Sequence, residues 1–245
     1  MNEITIAGKK VGRLGLGTMR LTGPGTWGEP ADMVGAAALL REAVHDLGIL
    51  HIDTADAYGP HTVEELIRRA LHPYSEELLL ATKVGMVRPA PNVWRPLGRP
   101  EYLRAAVEAS LRRLGSERID LCYLHRVDPS VPLADQVGEL AALQQEGKIG
   151  EIGLSKVTPE QIGQAAGVVT VATVQNCLNA AEPVDPALAY CLALDIPYVP
   201  YRPLNAGKLD PQEALRWLLD LGPLVAPIPG TADPVHLRAL FAPAT

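Results

Sequence analysis

Residues 50–59 of the chain are Leu-His-Ile-Asp-Thr-Ala-Asp-Ala-Tyr-Gly, and they decide how the rest of the sequence is interpreted. The apolar run from Gly48 to Ile52 predicts a buried strand that ends at Asp53, and Tyr58 follows in a short loop. A strand that presents a carboxylate at its end and a tyrosine in the next loop is typical of the catalytic rim of an α/β barrel. Taken alone, the stretch fits equally well with Asp53 capping a helix and Tyr58 lying on the surface.

The composition predicts a folded, soluble chain with one large core. Its 245 residues suit an α/β barrel, and 47% of them are hydrophobic. The formal charge of −6 gives no electrostatic reason to expect nucleic acid or an anionic membrane as partner. The three widely spaced cysteines are typical of reduced thiols, and no apolar run approaches the ~20 residues of a membrane helix. The amino terminus does not resemble a signal peptide, so we expect a cytoplasmic protein.

Short apolar strands alternate with amphipathic helices along most of the chain. The predicted strands are residues 14–17, 49–53, 78–83, 119–124, 149–154, 171–175, 198–201 and 225–228, and the helices are 33–47, 63–71, 100–114, 133–146, 159–166, 186–195, 211–221 and 234–240. Eight such units after a hairpin over residues 4–11 predict a (β/α)8 TIM barrel that occupies residues 1–245 as one domain. An open doubly wound sheet is the alternative, but no G-x-G-x-x-G motif follows the first strand.

The predicted carboxyl ends of the strands carry a set of polar side chains. They are Asp53 with Tyr58 just beyond, Lys83, His125, Ser155, Gln175 with Asn176, and Tyr201. Each alone has a structural explanation, such as a satisfied loop histidine or a glutamine that caps a turn. Closure of a barrel would bring all of them to one rim, where barrel enzymes place their chemistry. The residues around His125 do not have the spacing of metal ligands, so we predict no metal site.

Four members of this set suit the transfer of a proton to an oxygen. A phenol with its usual pKa near ~10 is a poor acid unless a neighbouring cation favours the phenolate. Lys83 could supply that cation, Asp53 could hold it, and His125 could fix the oxygen beside Tyr58. Reduction of a carbonyl needs such a donor and also a hydride source. Ser155, Gln175 and Asn176 are suited to recognising the amide of a nicotinamide, and Tyr201 offers a stacking face.

These residues lie in segments that resemble the aldo-keto reductase family. The matching segments are Gly15–Met19, His51–Gly59, Ala81–Lys83, Asp120–His125, Gly147–Ser155, Val174–Asn176 and Pro227–Thr231, in the family's order along nearly the whole chain. Within the family the sequence is most similar to bacterial members with Leu-His-Arg-Val-Asp-Pro, here residues 124–129. The resemblance implies NADPH-dependent reduction of small-molecule aldehydes and ketones by a monomer or weak oligomer. It implies a catalytic tetrad of Asp53, Tyr58, Lys83 and His125, with Tyr58 as the general acid.

The resemblance also implies where cofactor and substrate would bind. The expected cofactor-binding residues are Gly17, Thr18, Met19, Asp53, Ser155, Lys156, Gln175, Tyr201, Arg202, Pro203, Leu204, Lys208, Gly230, Thr231 and His236. Among them, the loop from Pro203 to Lys208 would pass over the pyrophosphate, and Gly230 with Thr231 would meet the adenosine phosphate at a helix amino terminus. Trp27 and Trp94 would line the substrate pocket with Tyr58 and His125.

The sequence departs from the family pattern mainly at the far end of the cofactor. Lys156 replaces the usual asparagine or small polar residue, and the chain between the seventh strand and Pro211 is short. His236 stands nearest to the expected cation for the 2′-phosphate, while Ala239 and Leu240 replace polar adenine contacts. These changes keep NADH as an alternative cofactor. They also motivate an alternative function, in which the barrel binds the nicotinamide cofactor for a regulatory or interaction role with little turnover.

Overall fold

A curled parallel sheet forms the centre of the molecule, whose residues 3–242 are described by a computed structural model. The strands are β1 Glu3–Ile6, β2 Lys9–Gly12, β3 Leu16–Gly17, β4 His51–Asp53, β5 Leu79–Val84, β6 Met86–Ala90, β7 Val93–Pro96, β8 Ile119–Leu124, β9 Ile149–Ser155 and β10 Val171–Gln175. The helices are α1 Met33–Arg41, α2 Thr62–Leu71, α3 Pro100–Leu114, α4 Leu133–Gln145, α5 Pro159–Ala166, α6 Pro186–Ala193, α7 Pro211–Asp220 and α8 Pro234–Phe241. A π-helical turn, Glu42–Asp46, extends α1, so the helix predicted over residues 33–47 changes its hydrogen-bond pattern near its end.

Six of these strands form one parallel sheet in the order β10-β9-β8-β5-β4-β3. Two further segments close it into a barrel. Residues 198–201 pair with the end of β10 through bridges at Tyr198 and Tyr201, and Tyr198 in turn pairs with Val225. The amide of Gly17 in β3 then donates to the carbonyl of Pro229 at 2.9 Å. The predicted barrel and its amino-terminal hairpin, β1 with β2, are therefore confirmed.

The two closing segments are not regular strands, which corrects the prediction of strands at 198–201 and 225–228. They pair only through isolated bridges. The reason lies in the sequence, because Pro197 and Pro200 interrupt one segment and Pro227 and Pro229 the other. A proline has no N–H to donate, so a continuous hydrogen-bond ladder cannot form there.

A second correction concerns the chain that carries Trp94. The sequence predicts a long loop after the third strand of the barrel, but the structure has an antiparallel hairpin of β6 and β7. Pro89 and Pro91 argue against a strand by sequence, since proline is confined to edges and bulges of sheets. This hairpin is an isolated two-stranded ribbon whose register shifts between Val87 and Ala90, so it tolerates both prolines.

Alternation along the strands sorts side chains between the barrel interior and the helix-facing layer. In β5, Leu79 and Ala81 belong to the interior cluster, while Leu80 and Val84 pack in the layer under the helices. Lys83 has the parity of Leu79 and Ala81, so it points into the barrel at the carboxyl end of β5. At the opposite end, Ile4, Ile6 and Val11 of the hairpin join the interior cluster and close the barrel. No helix between residues 3 and 242 has both the length and the apolar character needed to cross a membrane.

Arg13 reinforces the place where the barrel closes without a ladder. It is 9% exposed, and its guanidinium donates to the carbonyls of Val225 at 3.1 Å, Leu219 at 2.7 Å and Gly222. These contacts join the chain before β3 to the segment that pairs with it.

We predict that Arg13→Ala lowers the free energy of unfolding by about 2–3 kcal/mol, because hydrogen bonds from a charged donor are lost and buried carbonyls are left without a partner. Lys10→Ala is the control. Lys10 pairs with Glu3 on the surface, where its side chain is 72% exposed, and its loss should cost less than ~0.5 kcal/mol. Urea unfolding followed by circular dichroism measures both, and equal midpoints for the two variants would contradict the prediction.

Candidate active site

Neighbouring strands bring Asp53, Lys83 and His125 to one end of the barrel. Asp53 is the last residue of β4 and pairs in register with Ala81 of β5. Lys83, two residues further along β5, is opposite Tyr123 of β8, and His125 follows the end of β8. The carboxyl ends of three adjacent strands therefore present the three side chains together, as the sequence predicts.

A buried ion pair lies at the centre of this group. The ammonium of Lys83 is 2.5 Å from Oδ1 of Asp53, and the two side chains are 1% and 2% exposed. The same ammonium donates to the carbonyl of Thr54 at 2.9 Å and to the hydroxyl of Tyr58 at 3.5 Å. Burial opposes the charged form of Lys83, but Asp53 and Tyr58 outweigh it, so the pKa of the lysine is raised above its usual value. Lys83 is therefore a fixed cation at neutral pH.

Tyr58 is held as a neutral phenol beside this cation. The side chain is 7% exposed, and burial raises its pKa above the usual value. The nearby Lys83 acts in the opposite direction and favours the phenolate. The hydroxyl thus carries its proton at neutral pH, with a cation in place to stabilise the charge that forms when the proton leaves.

His125 is neutral for a related reason. It is 8% exposed, and its ring centroid lies 6.1 Å from that of Tyr58 in an edge-on arrangement. Burial is the main cause of a pKa well below the usual value, and the charges of Lys83, Lys156, Arg126 and Arg88 lower it further. Its Nδ1 is buried and has no hydrogen-bond partner among residues 3–242. A neutral imidazole can hold a carbonyl oxygen next to the phenol.

The side chains predicted to recognise a nicotinamide lie on the adjacent strand ends. Ser155 of β9 and Gln175 of β10 are in register with each other. The amide nitrogen of Gln175 donates to Oδ2 of Asp53 at 2.7 Å, which leaves its oxygen as the group able to accept from a ligand. Both oxygens of Asp53 are thus engaged, one by Lys83 and one by Gln175. Gln175 is therefore attached directly to the ion pair.

Asn176 has a structural role instead. Its amide nitrogen donates to the carbonyl of Val157 and to Oδ2 of Asp185, each at 2.8 Å, and its oxygen accepts from the amide of Val157 at 3.0 Å. Three of the four hydrogen bonds that its amide can form join β10 to the loop after β9 and to the start of α6. These contacts account for Asn176 without a ligand, and its contact with a carboxamide stays a prediction.

Trp94 and Trp27, the two tryptophans predicted to line a substrate pocket, lie close to the loop that carries Tyr58. The ring of Trp94, in β7, is 6.5 Å from that of Tyr58 and 6.2 Å from that of His125. Trp27 pairs with Gly59 through a backbone bridge, which fixes its loop against the one that carries Tyr58. Trp94 therefore belongs to the wall around the phenol, and the loop of Trp27 adjoins the loop that carries Tyr58.

Arg88 organises this wall, and sequence analysis missed it. The guanidinium carbon is 3.6 Å from the ring centroid of Trp94 and 5.9 Å from that of Trp27. The side chain, 7% exposed, donates at 2.8 to 3.0 Å to the carbonyls of Gly25, Thr26, Ala57 and Val93. One residue thus joins the loop of Trp27, the loop of Tyr58 and the hairpin of Trp94. Its targets are backbone atoms, which have no sequence pattern, so no signal in the sequence points to it.

The residues expected at the far end of a cofactor lie close together, and the carboxylate of Asp233 lies among them. Gly17 and Gly230 touch, since a Cβ on Gly230 would lie 2.3 Å from the carbonyl oxygen of Gly17. Thr231 follows and begins the turn into α8. At the start of α8, the amides of Val235 and His236 already donate to the carboxylate of Asp233, at 2.7 and 3.2 Å. The amino terminus of α8, where Gly230 and Thr231 are predicted to meet a phosphate, thus already holds a carboxylate.

The remaining predicted cofactor residues lie around the mouth. Thr18 is buried and donates to the carbonyl of Asp53 at 2.9 Å, whereas Met19 is 36% exposed. The ammonium of Lys156 is 5.4 Å from the ring centroid of Tyr201, which is half-buried. The segment after it contains Arg202, Pro203 and Leu204, a short 3-10 turn, Asn205–Gly207, and then Lys208. This turn occupies the short connection before α7.

The described part of the chain contains no group of three or more His, Cys, Asp or Glu side chains that could hold a metal ion. What the arrangement can do is donate a proton from a buried phenol to an oxygen held by a neutral histidine.

Together with the barrel, this site defines an oxidoreductase of the NAD(P)H-dependent class. A model of the aldo/keto reductase family matches residues 13–214, and the chain belongs to that family. The family uses NADPH and acts on small carbonyl compounds, as the resemblance predicts.

Individual relatives agree with this assignment. The chain is 40% identical over 260 residues to pyridoxine 4-dehydrogenase of Escherichia coli, covering 97% of this chain and 91% of the relative. Its structure is similar to that of a glycerol dehydrogenase from Gluconobacter oxydans, with a TM-score of 0.86, 28% identity, and coverage of 98% and 89% of the two chains. It is also similar to an aldo-keto reductase from Klebsiella pneumoniae solved in complex with NADPH, with a TM-score of 0.80, 26% identity, and coverage of 99% and 89%.

We predict that Arg88→Ala loosens the mouth of the barrel. Hydrogen exchange should speed up at the amides of Gly28 and Asn92, which donate to Gly59 and Gly25 across the joined loops. The free energy of unfolding should fall by about 2 kcal/mol, because several carbonyls lose a charged donor. Arg95→Ala, on the same hairpin but exposed, is the matched control. Unchanged exchange in Arg88→Ala would show that the loops hold their positions without it.

Proposed function

We propose that this protein, as one barrel domain, reduces aldehydes and ketones to alcohols with NADPH and that Tyr58 is the general acid. The observation that carries the proposal is the buried Lys83–Asp53 pair against the hydroxyl of Tyr58, beside a neutral His125. A bound NADPH would supply a hydride to the carbonyl carbon. The chain's own residues would handle the proton and the oxygen.

The carbonyl oxygen would lie between the hydroxyl of Tyr58 and the imidazole of His125. Tyr58 gives its proton to that oxygen as negative charge develops there, and Lys83 stabilises the resulting phenolate. Asp53 keeps Lys83 charged and in place, because an unpaired ammonium in this buried position would lose its proton readily. Trp94 and Trp27 exclude water from the side of the phenol. In the reverse direction the phenolate would accept the proton of an alcohol.

The residues of the rim fit a nicotinamide. The free amide oxygen of Gln175 can accept from the carboxamide, the hydroxyl of Ser155 lies on the neighbouring strand, and the half-buried ring of Tyr201 offers a stacking face. The neighbour solved with NADPH supports this assignment. Lys156, Arg202 and Lys208 are the cations near the path that the pyrophosphate would follow. Gly17 and Gly230 bring two backbone segments at this end of the site into contact, because neither carries a side chain.

The relatives' names support alcohols and carbonyls as the substrate pair. Pyridoxine 4-dehydrogenase and glycerol dehydrogenase are both named for oxidation of an alcohol. The indole of Trp94, edge-on to both Tyr58 and His125, favours a substrate whose carbonyl is attached to a flat ring. We propose aromatic aldehydes as the substrates with which to begin.

The first prediction from this mechanism concerns Tyr58. Tyr58→Phe removes the proton donor without changing the ring that packs against Trp94, so kcat for an activated aromatic aldehyde should fall by a factor on the order of 10²–10⁴. The dissociation constant of NADPH, followed by nicotinamide fluorescence, should stay within about twofold. Turnover that survives in Tyr58→Phe would refute Tyr58 as the acid. Tight NADPH binding with negligible wild-type turnover would instead favour the regulatory alternative.

A further prediction concerns the choice between NADPH and NADH. The carboxylate of Asp233 accepts hydrogen bonds from the amides at the start of α8, and its Oδ2 lies 3.9 Å from Nδ1 of His236. The negative charge of Asp233 therefore opposes a 2′-phosphate at that place. Asp233→Asn should raise the ratio of kcat/KM for NADPH to that for NADH by up to about fivefold, the range of an exposed charge pair. Asp210→Asn, the equivalent cap of α7, is the matched control. Equal ratios in the two variants would place the 2′-phosphate elsewhere.

A further inference from the structure

We propose that Arg126 binds an anionic group of the substrate, so that the preferred substrates carry a carboxylate or phosphate in addition to the carbonyl. The proposal rests on the proposed function, because it assigns the part of the substrate that lies beyond the reacting carbonyl. It concerns a residue to which the chemistry described above gives no task.

Arg126 lies at the mouth by its place in the chain. It directly follows His125, whose ring is 6.1 Å from that of Tyr58. Leu124 of β8 pairs with Leu154 of β9, so the next residues place His125 beside Ser155 and Arg126 beside Lys156. The charge of Arg126 helps to lower the pKa of both His125 and Lys156, so its guanidinium lies near these two side chains at the rim that surrounds the reacting carbonyl.

Arg126 lacks the partners that other partly buried arginines have. Arg113 pairs with Glu64, and Arg13 and Arg88 donate to backbone carbonyls. By contrast, the Nε of Arg126 is buried without a hydrogen-bond partner among residues 3–242, and within that range no carboxylate lies within 4.0 Å of its guanidinium. A buried donor without a partner costs free energy unless a ligand satisfies it. The natural ligand of a guanidinium is a carboxylate or a phosphate.

The charges around the mouth favour the same class of ligand. The main charges that lower the pKa of His125 are all cations, namely Lys83, Lys156, Arg126 and Arg88. Lys83 is compensated by Asp53, and Arg88 is enclosed by carbonyls. The positive charge that remains comes from Arg126 and Lys156. The chain as a whole has a formal charge of −6, so this local excess of positive charge is not a consequence of composition.

Cofactor phosphates are the competing ligand for these cations. Lys156 and Arg202 lie beside Tyr201, and we have placed them with the cofactor. The charge of Arg126 also acts on Tyr201 and Lys156, but Arg126 directly follows His125, the residue proposed to hold the substrate oxygen. A role toward the substrate and a role toward the cofactor predict different kinetics, since only the first depends on the charge of the aldehyde.

The test compares aldehydes that differ in charge. The probes are 4-carboxybenzaldehyde, its neutral methyl ester and 4-formylphenyl phosphate, each measured with NADPH at low and high ionic strength. In the wild type, kcat/KM should be higher for the two anions than for the ester, and only the anions should lose rate as salt increases. Arg126→Gln should lower the ratio of anion to ester by about tenfold or more, which is the effect of losing one charge-assisted hydrogen bond. The two anions together show whether carboxylate, phosphate or both are accepted.

Two further variants and a binding measurement complete the experiment. Arg126→Lys should keep part of the preference, and Arg112→Gln, which removes an exposed charge on α3, should keep all of it. An unchanged ratio in Arg126→Gln overturns the proposal, and so does an equal loss for all three aldehydes with weaker NADPH binding. If no aldehyde is turned over, the proposed function fails by itself. The proposal is then tested by quenching of tryptophan fluorescence with 4-(hydroxymethyl)benzoate and with its methyl ester. The proposal requires that the wild type binds the acid but not the ester, and that Arg126→Gln loses the binding of the acid.

Discussion

The buried ion pair of Lys83 and Asp53 is the constraint on which the rest of the site depends. Removing two charges from water carries a large penalty, and only close contact with further hydrogen bonds compensates it. The barrel meets this demand by placing both residues at the ends of adjacent parallel strands and by adding Thr54 and Gln175 as partners. Tyr58 then receives a fixed cation at its hydroxyl. The fold thus maintains a charge in a place where an isolated lysine would be neutral.

The same barrel is irregular where the cofactor would lie. The segments at 198–201 and 225–229 contain prolines and close the ring through isolated bridges, whereas β4, β5 and β8 form a continuous ladder under Asp53, Lys83 and His125. Regular pairing thus coincides with the residues whose positions must be fixed to fractions of an ångström. On the irregular side, the side chain of Arg13 donates hydrogen bonds to backbone carbonyls.

The sequence predicted that Asp53, Lys83 and His125 meet at one end of the barrel, because the signal for their placement is local. A polar residue after an apolar strand marks a carboxyl end, and parallel strands bring such ends together, so Asp53, Lys83 and His125 needed no knowledge of distant contacts. The arginine clamp at Arg88 depends on carbonyls from loops far apart in the chain, which side-chain patterns do not encode. The structural contacts of Asn176 could not be predicted either, since the partners of its amide become neighbours only in the fold.

The distribution of charge links the two ends of the site. At the far end, Glu42 pairs with Arg238 of α8 and the carboxylate of Asp233 lies beside His236, so α8 offers little uncompensated positive charge. Near the reacting carbonyl the balance is reversed, because the ion pair neutralises itself and Arg126 keeps no acidic partner within the described residues. An anion entering this mouth therefore meets uncompensated cations first beside His125, not at the adenosine end. Coulomb interactions strengthen as water is excluded, so the discrimination by charge is greatest where the chemistry takes place.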